Sequence, residues 1–202
     1  MFYTANLKGN LALLPRLFTL IQQQRDDALV FLLDLGDTCS LDAWVCRTTQ
    51  GRAPLLVLDS MGYDAAIIGG PEAVSIPVSS LRQLVDTIMM PIIIWGRVVR
   101  LAKRGVSFNI ASGEAVLPEG EPGVLIDRST QALPARNAPF PTLGDVPQGQ
   151  LARVELSWPE WTVLDARIVE LSAEIQPDPT IGAIVELVEA EAHHYAQQRG
   201  ER

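Results

Sequence analysis

Apolar residues fall along this chain in short continuous runs separated by longer stretches of helical periodicity. Phe2 to Thr4 makes a first short strand that enters a turn at Asn6–Asn10. From Leu11 to Gln24 the apolar positions recur every three or four residues, which predicts a helix. Leu29 to Leu35 is a nearly unbroken apolar run ending at Gly36-Asp37, as a buried parallel strand does before its loop. Pro54 to Met61 predicts a second helix with Gly62 as its stop, and Ala65 to Ile68 a further buried strand ending in glycines. Ser79 to Thr87 predicts a third helix, capped by Ser79 or Ser80, and Ile92 to Trp95 another internal strand. Strands alternating with helices in this way predict a parallel α/β sheet with helices on its faces.

Beyond residue 96 the pattern changes. Arg97–Leu101 and Val106–Ile110 predict two strands joined by a turn at Ala102–Gly105. Residues 112–123 and 131–149 are rich in proline and glycine and are expected to be loops, with a short strand, Gly123–Ile126, between them. Gln150–Leu156 and Thr162–Leu171 predict an antiparallel pair, and a last helix runs from Ile181 to about Gln198. No internal repeat is visible, and 202 residues suit one domain, 1–202, with a core that needs no staples.

Four short motifs carry a family likeness. The first strand ends in Thr4-Ala5-Asn6-Leu7-Lys8-Gly9 and the next in Leu33-Asp34-Leu35-Gly36-Asp37-Thr38. Then come Gly62-Tyr63-Asp64-Ala65 and Gly69-Gly70-Pro71-Glu72. Their order resembles the start of a 5'-nucleotidase-like, calcineurin-like metallophosphoesterase, whose corresponding motifs read Thr-Asn-Asp-x-His-Gly, Gly-Asp-Thr, Gly-Tyr-Asp-Ala and Gly-Asn-His-Glu. The resemblance implies an α/β layered sandwich of mixed sheets flanked by helices. It extends to the hairpin and helix that close the chain. Between Ile110 and Gly123 the chain is too short for a helix and strand that relatives place there, so the domain is expected to be shortened by about one βα unit.

The same likeness argues against the chemistry it would ordinarily imply. A dinuclear phosphoesterase holds two metal ions about 3.5–4 Å apart with several Asp, His and Asn ligands. Here Asn6 replaces the first family Asp, Lys8 the first His, and Gly70-Pro71 the Asn-His pair; Asp37, the usual bridging carboxylate, remains. The only histidines, His193 and His194, lie in the predicted final helix. The resemblance therefore implies a catalytically silent relative that binds or regulates and carries no cofactor. The alternative is a weak or altered metal-dependent phosphohydrolase using one divalent ion at Asn6 and Asp37. Residual-site candidates are Asn6, Lys8, Asp37, Gly70, Glu72 and Arg128. Asp37 and Glu72 can equally serve as a turn or capping residue and as an exposed carboxylate at a helix start. Lys8 either points to water or replaces the metal as a fixed cation beside Asp37, with Arg128 as a second cation.

Charge and cysteine content narrow the remaining functions. A net charge of −8 argues against nonspecific binding to nucleic acid or to an anionic membrane. No apolar stretch approaches the length of a membrane span, and the start of the sequence has no export-signal pattern, so a cytoplasmic protein is expected. Cys39 and Cys46 are expected to be reduced, packed thiols. Arg97, Arg100, Lys103 and Arg104 predict solvated edge-strand charges or an anion site, and Trp158 and Trp161 a lid on the core or an exposed contact patch. Loss of a βα unit should uncover apolar surface, which implies a homodimer or a protein partner.

Overall fold

The computed structural model describes residues 1–26, 28–69, 85–131, 133–136 and 138–199. The expected helix Ser79–Thr87 lies largely outside them, as do Gly70 and Glu72. Among the described residues ten strands form two sheets. The larger has six strands in the order β10-β9-β1-β2-β3-β4. Its centre is parallel: β1 (Phe2–Thr4), β2 (Leu32–Asp34), β3 (Ala65–Ile68) and β4 (Ile92–Ile94). The hairpin of β9 (Gln150–Leu156) and β10 (Val163–Glu170) joins antiparallel to β1. The smaller sheet is β5 (Val98–Lys103), β6 (Val106–Ser112), β7 (Gly123–Asp127) and β8 (Thr142–Gly144). Here β5 and β6 form a hairpin, while β6, β7 and β8 run parallel.

The central strands read as unbroken apolar runs because both their faces are buried. Phe2, Leu32, Ala66 and Leu151 face the helices. Their neighbours Tyr3, Leu33, Ile67 and Ala152 face the smaller sheet, where they meet Phe108, Ile110, Val124 and Leu143. Among the described residues the helical layer includes α1 (Leu14–Gln24), α2 (Trp44–Thr49), α3 (Arg52–Ser60) and α4 (Pro179–Arg199). In α1 the stripe Leu14, Leu17, Leu20 and Ile21 is buried, as its spacing requires. Ile181, Val185, Val188 and Ala192 of α4 join the same core. An ion pair from Arg52 to Glu191 fastens α4 to α3. The link between β6 and β7, residues 113–122, contains neither helix nor strand, in keeping with a shortened domain.

Three details depart from the sequence expectation. The segment 131–149 is not all loop, because β8 lies within it. The helix α2 was not foreseen. Cys39 and Cys46 are not free thiols but a disulfide, with their Cα atoms 5.7 Å apart. A helical reading of their spacing fails because α2 begins only at Trp44; the preceding loop folds back and brings Cys39 against Cys46. Disulfides persist mainly in oxidising compartments, a point that counts against a cytoplasmic location. No helix among the described residues is long and apolar enough to cross a membrane.

Two of the four hairpin cations find side-chain partners among the described residues, Arg100 in Ser107 and Glu121 and Lys103 across the sheets. Lys103 Nζ donates to Asp64, 2.8 Å away, and to the Val30 carbonyl oxygen at 2.9 Å, which ties the β5–β6 hairpin to the start of β2 and β3. Asp64 accepts a further bond from the Leu32 N–H. Trp161 is a lid on the core: its Nε1–H donates to Gly123 O at 2.8 Å and its ring meets Phe108. Trp158 stays half exposed.

Candidate functional site

The carboxyl ends of the parallel strands in both sheets converge on one guanidinium. The loop after β1 brings Asn6, the loop after β2 brings Asp37, Arg128 directly follows β7 and Asp145 directly follows β8. Arg128 Nη2 donates to Asp37 Oδ2 at 2.8 Å and to Asn6 Oδ1 at 3.0 Å, while Nε donates to Asp145 Oδ1 at 3.1 Å. Asn6 Nδ2 completes the circuit with bonds to both Asp145 oxygens, at 2.9 and 3.0 Å, and to Val146 O at 2.8 Å. Burial opposes the positive charge of Arg128, but the hydrogen bonds and charges of Asp37 and Asp145 raise its pKa above the ordinary arginine value. The side chains of Arg128 and Asp145 are 18% and 19% exposed and that of Asp37 is 32% exposed, so the cluster sits at the mouth of the sandwich.

The backbone around this cluster is held in uncommon conformations. Asn6, Lys8 and Asp37 have φ of 59°, 52° and 52°, in the left-handed region that non-glycine residues rarely adopt. Hydrogen bonds between the two loops fix them there: Asn6 N–H to Gly36 O, Lys8 N–H to Asp37 O and Gly9 N–H to Thr38 O. Gly36 has φ of 111°, and a Cβ there would come within 3.0 Å of Arg128 Nη1 and 3.1 Å of Ile67 O. Only glycine lets the guanidinium approach so closely.

Beneath the cluster lies a fully buried carboxylate. Asp34 accepts bonds from Thr4 Oγ1, Thr38 Oγ1 and the Gly36 N–H, and Thr4 is linked in turn to the Tyr63 hydroxyl at 3.0 Å. Burial pushes the Asp34 carboxyl up to about 6, against the pull of those hydrogen bonds and of Arg128. The group shapes the β2 loop that presents Asp37.

Of the residues expected at the site, the structure brings together Asn6, Asp37 and Arg128. Gly70 and Glu72 lie outside the described residues. Lys8 supplies its backbone N–H, but its side chain is exposed and does not pair with Asp37. Leu7, 2% exposed, turns into the helix-side core, and the left-handed residues on either side of it carry Lys8 out to solvent. Asp145 was missed. Its signal was the tripeptide Leu143-Gly144-Asp145, which repeats Leu35-Gly36-Asp37 at a second strand end.

The fold and part of the sequence are similar to those of known proteins. Over 101 residues, 46% of its length, the chain is 28% identical to the uncharacterized metallophosphoesterase YunD of Bacillus subtilis (strain 168), and the match spans 21% of that relative. The fold superposes on a solved Staphylococcus aureus protein described as a "putative 5'-nucleotidase", in complex with alpha-ketoglutarate. The TM-score is 0.62 and the identity 10%, over 94% of this chain and 57% of that one. The chain has a metallophosphoesterase-like α/β fold. The Thermus thermophilus protein TT1561 aligns with a TM-score of 0.49 and 12% identity, over 85% of this chain and 98% of that one. No protein-family model matches the sequence.

The metals implied by a metallophosphoesterase fold do not fit the donors at this site. No group of three or more His, Cys, Asp or Glu among the described residues is arranged to hold a metal ion. Asn6 and Asp37 direct oxygens at Arg128, and Asn6 directs its amide N–H groups at Asp145. An arginine is protonated at every accessible pH and cannot become a ligand. A divalent ion against the same oxygens would stand a few ångströms from that charge, at a Coulombic cost.

Proposed function

We propose that this metallophosphoesterase-like protein is catalytically silent and acts by binding, as a regulatory or interaction protein. The observation that carries the reading is the guanidinium of Arg128 held among Asn6, Asp37 and Asp145. Metal-dependent ester hydrolysis needs a Lewis acid that lowers the pKa of a bound water and clamps the phosphoryl oxygens. A guanidinium neutralises carboxylates through hydrogen bonds but neither ligates water nor makes it a nucleophile. Two ligand positions of the family, Asn6 and Asp37, are in this reading part of a polar closure that joins the two sheets. The one-metal phosphohydrolase alternative requires Arg128 to leave both carboxylates before an ion can bind.

The test is hydrolysis of nucleoside 5'-monophosphates and of bis(p-nitrophenyl) phosphate by the purified protein with added Mn²⁺, Mg²⁺ or Zn²⁺. The expected result is no metal-dependent turnover above that of an Asp37→Ala variant. Metal-dependent turnover that disappears in Asp37→Ala would overturn the reading.

A further inference from the structure

β10 forms one edge of the six-stranded sheet, and no described strand pairs with its outer side. The ladder fixes which of its backbone groups are free. Val154 turns its N–H toward β1, donating to Met1 O, while Leu171 N–H donates to Gly149 O. Given the registers Ala166↔Val154 and Ile168↔Ala152, the odd-numbered residues of β10 bond to β9. Ala166 and Ile168 therefore direct their N–H and C=O groups outward. The sequence along this edge, Leu164-Asp165-Ala166-Arg167-Ile168, has a charge-inverted symmetry about Ala166. The side chains of Asp165 and Arg167 have no hydrogen-bond or ion-pair partner among the described residues, and Leu164 is 52% exposed.

We propose that β10 pairs antiparallel with β10 of a second copy of this chain, about a two-fold axis at Ala166. An axis normal to the sheet keeps every side chain on its own face, so one residue must oppose its own copy. With Asp165 or Arg167 at the centre, like charges meet. With Ile168 at the centre, Arg167 meets Val169 and Ala166 meets Glu170. With Ala166 at the centre, each Asp165 meets Arg167 of the second copy, twice over, and the exposed Leu164 meets Ile168. Ala166 and its copy then exchange both of their outward hydrogen bonds, and Ile168 bonds with Leu164 of the second copy. The register shift between Val163 and Asp165 ends the regular ladder on one side, so the interface is short and the dimer reversible. Edge strands left open in this way are templates for pairing with another chain, and charges on them select the partner.

Sedimentation equilibrium on the wild type, Asp165→Arg, Arg167→Asp and the double exchange tests the proposal. The wild type associates reversibly. Either single change sets like charges opposite each other at both symmetric positions and weakens association by about tenfold or more, on a scale where 1.4 kcal/mol is a factor of ten. The double exchange restores the pairing and with it the affinity. Both side chains lack partners among the described residues of one protomer, so the variants retain the fold. Hydrogen exchange on the wild type gives a second readout without any substitution: the amides of Ala166 and Ile168 gain protection as concentration rises. A wild type that stays monomeric at its highest soluble concentration overturns the proposal. So do single variants that associate like the wild type, a double exchange that fails to recover, or Ala166 and Ile168 amides indifferent to concentration.

Discussion

Two cations join the same pair of sheets at opposite ends of the sandwich, and their surroundings differ. Lys103, at the amino ends of β2 and β3, bonds to one carboxylate and one backbone carbonyl in ordinary conformations. Arg128, at the carboxyl ends, bonds to Asp145 and to Asn6 and Asp37, the last two held in left-handed backbone. Lys103 is a staple that any pair of sheets can use. Arg128 occupies an architecture more elaborate than a staple requires, at the end of an open α/β sheet where ligands bind. Metal ions need strand-end loops that project oxygens into a common space. Here the loops after β1 and β2 project oxygens from Asn6 and Asp37 onto a protein cation.

The largest effect is expected from removing the central cation. Arg128→Met leaves Asp37 and Asp145 facing each other without a counter-charge, and because the cluster is partly open the loss should be about 2–4 kcal/mol in urea denaturation. A loss under about 1 kcal/mol would place Arg128 on a par with a surface ion pair and erase the contrast with Lys103.

The buried carboxylate beneath the site gives a pH signature of its own. The Asp34 carboxyl is raised from its ordinary 3.8 to about 6 in the folded protein. Between those values the folded state holds a proton that the unfolded state has lost, so the Asp34 contribution to stability falls as pH rises through this window and is constant above it. The loss is about 3 kcal/mol from a shift of about two units. The advantage of Asp34→Asn over the wild type should therefore grow from pH 4 to about 6.5 and then level off. A difference that is flat with pH would show that Asp34 is ionised throughout the range.

Breaking the opposite staple is expected to cost less. Lys103→Met leaves Asp64 its bond from the Leu32 N–H, and both side chains are partly exposed, so a loss of about 1–2 kcal/mol is expected. A cost equal to that of Arg128→Met would make the two ends equivalent. The smallest effect belongs to Lys8→Ala, which should change stability by no more than about 0.5 kcal/mol because its exposed side chain has no partner among the described residues. A larger loss would restore Lys8 as the cation of Asp37.

What could be read from the sequence followed from burial. Strands β1 to β4 stood out because both faces are covered, so their residues are apolar without alternation, and α1 stood out by its stripe from Leu14 to Ile21. The strand β8 did not, because Thr142-Leu143-Gly144 is three residues long among prolines, and its pairing is set by β7 rather than by local propensity. The helix α2 was hidden by its β-branched Val45, Thr48 and Thr49, which are buried by tertiary packing. At the site, motif spacing placed Asn6, Asp37 and Arg128 at strand ends. The partnership of Arg128 with Asp37 depended on contacts between the two sheets, and the outward turn of Lys8 on a local backbone angle that spacing does not encode.

The central claim is that a guanidinium fills the place of the metal pair. Its most direct test is the metal content of the wild type after incubation with excess Mn²⁺ and Zn²⁺ and removal of free ions by gel filtration, measured by elemental analysis. The account predicts far less than one ion per chain. Two ions per chain, lost on Asp37→Ala, would contradict it.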